Sequence, residues 1–315
     1  MKEGQASRTA EYMALFRALE GTRSADRRLF EDRFAVAFLS PRLRLVVGLS
    51  KVPLAGGIVR AYIDRRWPGA RTSAVARTRF IDDAAEEALR SGVEQVVILG
   101  AGFDARAYRI AAMAQATVVF EVDHPSTSAA KRTTVQAALS SVPRHVRFVP
   151  LDFNSEPLQG TMSAAGYEAR RRTLFIWEGV TNYLTEDAVD GTLRWCAGAA
   201  AGSLLIFTYV HWQVLDAPEV FHGTEKLFAT LRAADETWTF GLDPALLSSF
   251  LAQRGLVLSE DVGASDYRAL HFGAAAGRMR GYEFYRIAVA RVPDPSLTSH
   301  GAQQQVAAAG AARHR

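Results

Sequence analysis

Between Val93 and Arg291 the chain alternates short apolar runs with longer mixed stretches. The runs Val93–Leu99 (VEQVVIL), Thr117–Val122 (TVVFEV), Val146–Leu151 (VRFVPL), Thr173–Trp177 (TLFIW) and Ser203–Val210 (SLLIFTYV) are rich in β-branched and aromatic residues. Their hydrophobicity is nearly continuous. Strands buried on both faces read this way, whereas strands wetted on one side alternate. Helix-length segments separate the runs, so the pattern predicts a parallel sheet covered by helices on both faces. Two later runs, Leu256–Ser259 and Phe284–Arg291, predict the last strands, one of them antiparallel. The expected fold class is α/β: a Rossmann-like, mostly parallel, seven-stranded sheet.

Upstream the period changes. Leu15, Leu19, Leu29, Phe34, Phe38 and Leu39 recur at roughly helical spacing, which predicts helix from Ala10 to Leu39 with a break at Gly21–Ser24. Pro41–Pro68 is less regular, punctuated by Pro53, Gly56 and Gly57. Thr72–Ser91 is helical again and stops at Gly92. Residues 1–71 are therefore expected to form a helical cap and 72–293 the sheet domain. The aromatic-rich segment 212–250, with Trp212, Phe221, Phe228, Trp238 and Phe240, reads as a helical insertion over the strand ends. Residues 294–315 carry no apolar pattern and are expected to be a disordered tail.

Composition narrows the picture. With 315 residues, 49% of them hydrophobic, the chain can bury one substantial core and an attached cap. No apolar run approaches the roughly 18 residues of a membrane span, and Met1–Thr9 lacks the apolar core of a secretory signal. The single cysteine, Cys196, forms no internal disulfide, and no Cys/His cluster offers a metal cage. A cytoplasmic protein with no metal and no membrane partner is the expectation. The net charge of +4 raises nucleic acid as a partner. The arginines, however, are spread along the chain among acids, and a nucleic-acid footprint needs clustering, so none is expected. Composition does not set the oligomeric state.

Four segments carry candidate chemistry, and all follow predicted strands. In Leu99–Arg106 the first strand runs into Gly100-Ala101-Gly102, a turn that lets a ligand lie against the backbone. The third glycine of a dinucleotide fingerprint is missing, and Asp104 stands where a pyrophosphate would need a free helix N-terminus. That favours a ligand without phosphate, bearing an amino group. The second segment ends in Glu121 and Asp123, about 20 residues on, where an acid can accept from ribose hydroxyls. The two acids point to the same side of an extended strand and compete for the role. The third is Asp152-Phe153, suited to an adenine amino group and ring, although a capping Asp reads equally well. The fourth is Trp177–Leu184, with Glu178 and Tyr183. Ligands of parallel α/β sheets bind outside the carboxyl ends of the strands, so the four segments converge on one rim.

Beyond these segments, the chain resembles the leucine carboxyl methyltransferase superfamily. It is most similar to the bacterial branch holding polyketide and other natural-product O-methyltransferases of the tetracenomycin type. The resemblance runs from about Thr9 to Arg291. Its marks include Thr9-Ala10 with Arg17-Ala18, Leu29–Asp32, Ala76–Asp82, the glycine turn with Arg106–Arg109, Glu121–Pro125, Leu151–Phe153, Glu178-Gly179 with Tyr183-Leu184, Phe240–Leu242 and Phe250–Gly255. Asp32-Arg33 departs from the Asp-Pro of many members, which leaves the start of the following helix open.

The resemblance implies a class I methyltransferase fold with S-adenosyl-L-methionine as cofactor. It implies Arg77 on the methionine carboxylate, Gly100 (with Ala101 and Gly102) beneath the methionine portion, and Asp123 with Glu121 on the ribose. Asp152 and Phe153 would hold the adenine, and Glu178 would sit near the cofactor amino group or the reaction centre. The expected reaction is O-methylation of a carboxyl or hydroxyl of a small, polyketide-like acceptor. A carboxylate needs no base; a hydroxyl does, and His211, just past the fifth strand, is the best-placed histidine. Glu178 and Tyr183 complete the candidate catalytic set. The alternatives are methylation of a protein C-terminal carboxylate and a non-catalytic cofactor-binding protein. A nicotinamide dehydrogenase is disfavoured by Asp104 and the missing glycine.

Overall fold

The computed structural model describes residues 8–115 and 118–294. Seven strands form one sheet: β1 (Gln95–Leu99), β2 (Val119–Asp123), β3 (Val146–Pro150), β4 (Thr173–Trp177), β5 (Leu204–Val210), β6 (Val257–Gly263) and β7 (Tyr285–Arg291). Their order is β3-β2-β1-β4-β5-β7-β6. Neighbours are parallel from β3 through β5, and β7 runs antiparallel to both β5 and β6. Every residue of β1 and β4 is buried. Successive side chains feed opposite faces: Val97 and Leu99 join one core cluster, Val96 and Ile98 the other. The continuous apolar runs are the consequence of that double burial. The chain winds outward one way through β1, β2 and β3, then returns to β4 beside β1. The crevice at this reversal, outside the carboxyl ends of the strands, is where the fold places ligands.

The N-terminal part differs from the predicted pattern. Four helices precede the sheet: α1 (Arg8–Glu20), α2 (Pro41–Ser50), α3 (Pro53–Arg66) and α4 (Ala70–Arg90). The helix predicted to reach Leu39 stops at Glu20. Its second half is an irregular loop tied by polar groups: the Glu20 carboxylate accepts the Leu29 amide at 2.9 Å, and Arg17 Nε donates to Asp32 at 2.9 Å. Asp32 also accepts the amides of Phe34 and Ala35, which starts the short 3₁₀ turn Ala35–Phe38 without the proline common at position 33. The stretch read as irregular, Pro41–Pro68, holds two helices. Pro41 and Pro53 open them at the first turn, where a missing N–H is harmless, rather than breaking them.

After β5 the segment contains short helices at Gln213–Asp216, Thr224–Ala233 and Leu247–Ala252. The aromatic side chains Phe228 and Trp238 pack with Phe284 against a third core cluster shared with α1. Thr117 and the predicted tail from 295 onward lie outside the described residues, as do residues 1–7.

Candidate active site

A cavity of about 560 Å³ opens over the carboxyl ends of β1–β4, within the size range of small-molecule sites. Its floor is the turn after β1. Gly100 and Gly102 have φ of +66° and +40°. A Cβ on Gly100 would lie 2.2 Å from Val180 Cγ2, so only glycine lets the segment after β4 close against this turn. The Gly102 amide donates to Asp123, and the His124 amide donates to the other Asp123 oxygen at 2.7 Å. Burial pushes the Asp123 carboxyl up, and these two amides pull it only part of the way back. A carboxylate has about four lone-pair sites, so Asp123 keeps acceptor capacity for a ligand in the cavity it lines.

Glu121, predicted beside Asp123, does not line the cavity. It is 1% exposed and ion-paired with the buried Lys131 at 3.0 Å, and the Tyr108 hydroxyl donates to it at 2.8 Å. Lys131 also donates to the Ala101 carbonyl at 3.1 Å. Two residues of strand rise separate the acids, and that distance puts one at the rim and the other inside the core. Glu121 thus fastens helix Pro125–Leu139 beneath the glycine turn.

A buried charge cluster forms the next wall. Arg106, 2% exposed, donates to Asp82 at 2.7 Å and to Asp104 and Glu178 at 2.5 and 2.7 Å. Arg77, on α4, donates to the other oxygen of Glu178 at 2.8 Å and lies 4.5 Å above the Tyr285 ring. Burial alone would raise the Glu178 carboxyl; Arg106 and Arg77 outweigh it and hold the group below the usual carboxylate range. Asp104 is held low in the same way, with burial overcome by Arg106 and Lys131. Glu178 is therefore ionised at neutral pH and pinned between two guanidiniums. It can orient a ligand cation but is a poor proton shuttle, which counts against the catalytic role read for it from the sequence. Arg106 was not singled out as a site residue. Its partners Asp82 and Glu178 lie on α4 and after β4, so no local spacing announces the cluster.

Asp152 and Phe153, after β3, line the cavity as expected, beside Asn154. Tyr183 lines it too. Its hydroxyl donates to Glu236 at 3.1 Å, and Thr9 of α1 donates to the same Glu236 oxygen. The Trp238 ring meets Tyr183 edge-on at 6.3 Å. Burial, then the nearby Glu236, push the Tyr183 hydroxyl well above its ordinary value, so it remains a donor. Glu236 went unnoticed in the sequence, because it follows a turn at Asp235 (φ +59°) inside the insertion, far from any strand-end motif.

His211 is not in the cavity. Its ring sits 5.7 Å from Phe221, and Nδ1 accepts the Gln213 amide at 3.2 Å. The backbone past β5 continues pairing, His211 N–H to the Phe284 carbonyl at 2.7 Å, which carries the side chain past the cavity wall. Burial lowers its pKa. His211→Ala is expected to keep kcat within about threefold of wild type, against the 10²–10⁴ that loss of a working base costs. A hundredfold fall in steady-state rate would return His211 to the mechanism.

The cavity is acidic. Six carboxylates line it (Asp104, Asp123, Asp152, Glu178, Asp235 and Glu236) against two guanidiniums, Arg17 and Arg77. Arg17 is already paired with Asp32, and Arg77 with Glu178. Such a donor set suits a cationic ligand without phosphate, as a sulfonium bearing an ammonium is, and opposes a pyrophosphate. Among the described residues no group of three or more His, Cys, Asp or Glu is placed to hold a metal ion. No helix among them is long and apolar enough to cross a membrane.

The sheet order, the glycine turn and the rim acids together define a class I, Rossmann-like methyltransferase. Solved structures agree on the fold. A candidate methyltransferase from Thermobifida fusca superposes with a TM-score of 0.55 at 16% identity, covering 93% of this chain and 97% of that one. The family model for leucine carboxyl methyltransferase matches residues 10–197. A candidate S-adenosyl-L-methionine-dependent methyltransferase of Frankia alni is 39% identical over 202 residues, 64% of this chain and 67% of that protein. One of Mycolicibacterium paratuberculosis is 34% identical over 238 residues, 73% and 72% of the two chains. The chain belongs to the leucine carboxyl methyltransferase family. It is a methyltransferase that uses S-adenosyl-L-methionine.

Proposed function

We propose that this methyltransferase transfers the methyl group to a neutral hydroxyl of a small, largely apolar, polyketide-like acceptor, with Glu236 as the base. The observation that carries the reading is the charge of the cavity wall formed by the segments after β4 and β5 and the chain leading into β7. Tyr183, Glu236, Trp238, Tyr282 and Tyr285 line it, with Asp235 at its edge. Among the described lining residues, the two cations are already committed to Asp32 and Glu178. A carboxylate acceptor would enter this wall as a second anion beside Glu236, which desolvation makes costly. A phenol or alcohol brings no charge and offers a proton that a carboxylate can take.

The cofactor supplies an electrophilic methyl on a sulfonium. In this reading Asp123 accepts from the ribose, Asp152 and Phe153 hold the adenine, and the Arg77 Nη groups, which donate to no carboxylate among the described residues, take the methionine carboxylate and are then occupied by the cofactor. Glu178, kept ionised by Arg106, stands ready for the ammonium. Tyr183 donates to Glu236 and fixes its carboxylate in one orientation, and Trp238 and Tyr285 shield the acceptor from water, so that rate comes from positioning. The acceptor O–H proton passes to Glu236 as the new C–O bond forms and the methyl–sulfur bond breaks, its electron pair staying on a neutral thioether leaving group; Glu236 is left neutral until solvent removes the proton.

A panel of paired acceptors tests this: polycyclic phenols and alcohols against the matching carboxylic acids, with product read by mass spectrometry. Methyl ethers from the hydroxyl members are expected. Methyl esters from the acids, with the hydroxyl members inert, would overturn the hydroxyl reading and leave the methyltransferase intact.

A further inference from the structure

Six of the eleven exposed large hydrophobic side chains among the described residues lie away from the cavity, on the α2–α3 hairpin. Leu45 and Leu49 follow one another at helical spacing along α2, Val52 sits at the bend, and Leu54, Ile58 and Tyr62 follow at helical spacing along α3. All six are at least 51% exposed, and Leu54 reaches 85%. The two helices contact each other, Val47 and Ile63 are buried in the core cluster shared with α1, and the exposed side chains are left as an outward ridge. Stripes of this kind on a helix normally face a core. Here they face away from it, and none of them lines the cavity.

The charge around the ridge is equally one-sided. Residues 41–66 contain Arg42, Arg44, Lys51, Arg60, Arg65 and Arg66 against the single acid Asp64, and Asp64 is paired with Arg71 at 2.7 Å. The whole chain has 37 cationic and 33 acidic residues, so outside this hairpin acids outnumber cations by one. The positive charge of the protein is thus the charge of the hairpin. Arg42 lies one helical turn before Leu45, and Arg65 and Arg66 one turn after Tyr62, which puts cations at the open end of the hairpin, with Lys51 at the bend.

We propose that the α2–α3 hairpin docks the enzyme on an anionic lipid surface, with the Leu/Ile/Tyr ridge in the headgroup boundary and the flanking cations on lipid phosphates. An apolar face edged by Arg and Lys is the composition of helices that lie in the membrane plane. At 10 and 14 residues the two helices are far shorter than a span, so they lie on the surface rather than cross it. The long cationic side chains can reach to headgroups while their stems stay on apolar surface. A second copy of the chain fits less well, because a two-fold contact through this ridge would set the same cations against each other. Duplex nucleic acid would satisfy the cations and leave the ridge in water. The hairpin leads directly into α4, whose Ser73, Ala74 and Arg77 line the cavity, so docking would bring the cavity close to apolar acceptors dissolved in the bilayer.

Co-sedimentation of the full chain with vesicles tests the proposal. Binding is expected to phosphatidylcholine vesicles containing phosphatidylglycerol, falling as salt rises. Vesicles of phosphatidylcholine alone should bind on the order of tenfold less or weaker still. The double variants Leu54→Ser/Ile58→Ser and Arg65→Glu/Arg66→Glu should each lose on the order of tenfold or more in binding. Titration with S-adenosylhomocysteine should be unchanged in both, which shows them folded. Failure of the wild type to bind anionic vesicles, or equal binding by the variants, overturns the assignment. So does a concentration-dependent dimer by light scattering that Leu54→Ser/Ile58→Ser abolishes while vesicles go unbound. Duplex DNA that displaces vesicles and binds Leu54→Ser/Ile58→Ser undiminished would likewise overturn it.

Discussion

Glu236→Gln is expected to lower kcat on a hydroxyl acceptor by about 10²–10⁴ while leaving S-adenosylhomocysteine affinity within about threefold. The amide keeps the shape and still accepts from Tyr183 and Thr9, the two donors on the present carboxylate oxygen. What it loses is the ability to take a proton. Tyr183→Phe should give a smaller loss, because it removes one of the two donors that orient the carboxylate. His211→Ala should keep the rate within about threefold. A Glu236→Gln enzyme within a few-fold of wild type would remove Glu236 as the base and reopen a base-free carboxylate mechanism.

Arg106→Ala is expected to cost about 3–5 kcal/mol of folding stability, the range for breaking a buried ion pair from one side. Arg106 is 2% exposed and touches Asp82, Asp104 and Glu178 within 2.7 Å. Its removal leaves Asp104 with no guanidinium at hydrogen-bonding distance and Glu178 with Arg77 alone. The sign of the pH dependence follows from the depressed carboxyls. In the wild type Asp104 and Glu178 titrate below their unfolded values near pH 4, so they contribute stability above that pH and lose it as acid reaches the folded values. Without Arg106 their affinity for protons rises. The deficit of the variant should therefore be largest at neutral pH and shrink on acidification. Urea denaturation at several pH values measures it. A deficit under about 1 kcal/mol, or one that does not change with pH, would show that the cluster is not a tightly coupled unit.

The two variants separate two jobs that the same acid-rich cavity performs. Glu178 and Asp104 are charges held ionised by a buried guanidinium. Glu236 accepts from the Tyr183 and Thr9 hydroxyls instead. Three of the six carboxylates that line the cavity thus differ in what binds them.

The sheet was legible because burial on both faces imposes continuous apolar runs, and that constraint acts within a single strand. The glycine turn, Asp123, Asp152 and Phe153 were legible for a related reason: in parallel α/β sheets a strand end is by itself a position in the site. The N-terminal half of the cap was misread where local pattern and tertiary ties disagree. Leu29 and Phe38 keep helical spacing, yet Glu20 and Asp32 hold the loop that carries them. Pro53 looked like a break and is a helix start, as is Pro41, a distinction that depends on which side of the proline the helix grows. The cationic run of residues 41–66 was visible in the sequence but was averaged into the whole-chain charge. What only the tertiary structure decided is which ionisable groups meet. Glu121 and Asp123 are two residues apart and equivalent by strand alternation, yet Lys131 and Tyr108 seal one while the other reaches the cavity. His211 and Glu236 exchange places as candidate base because the backbone past β5 keeps pairing and carries the histidine beyond the wall, while a turn far down the chain returns the glutamate to Tyr183. Hydrophobic patterning is a property of each segment, but the pairing of charges depends on distances between segments, and those distances exist only once the chain has folded.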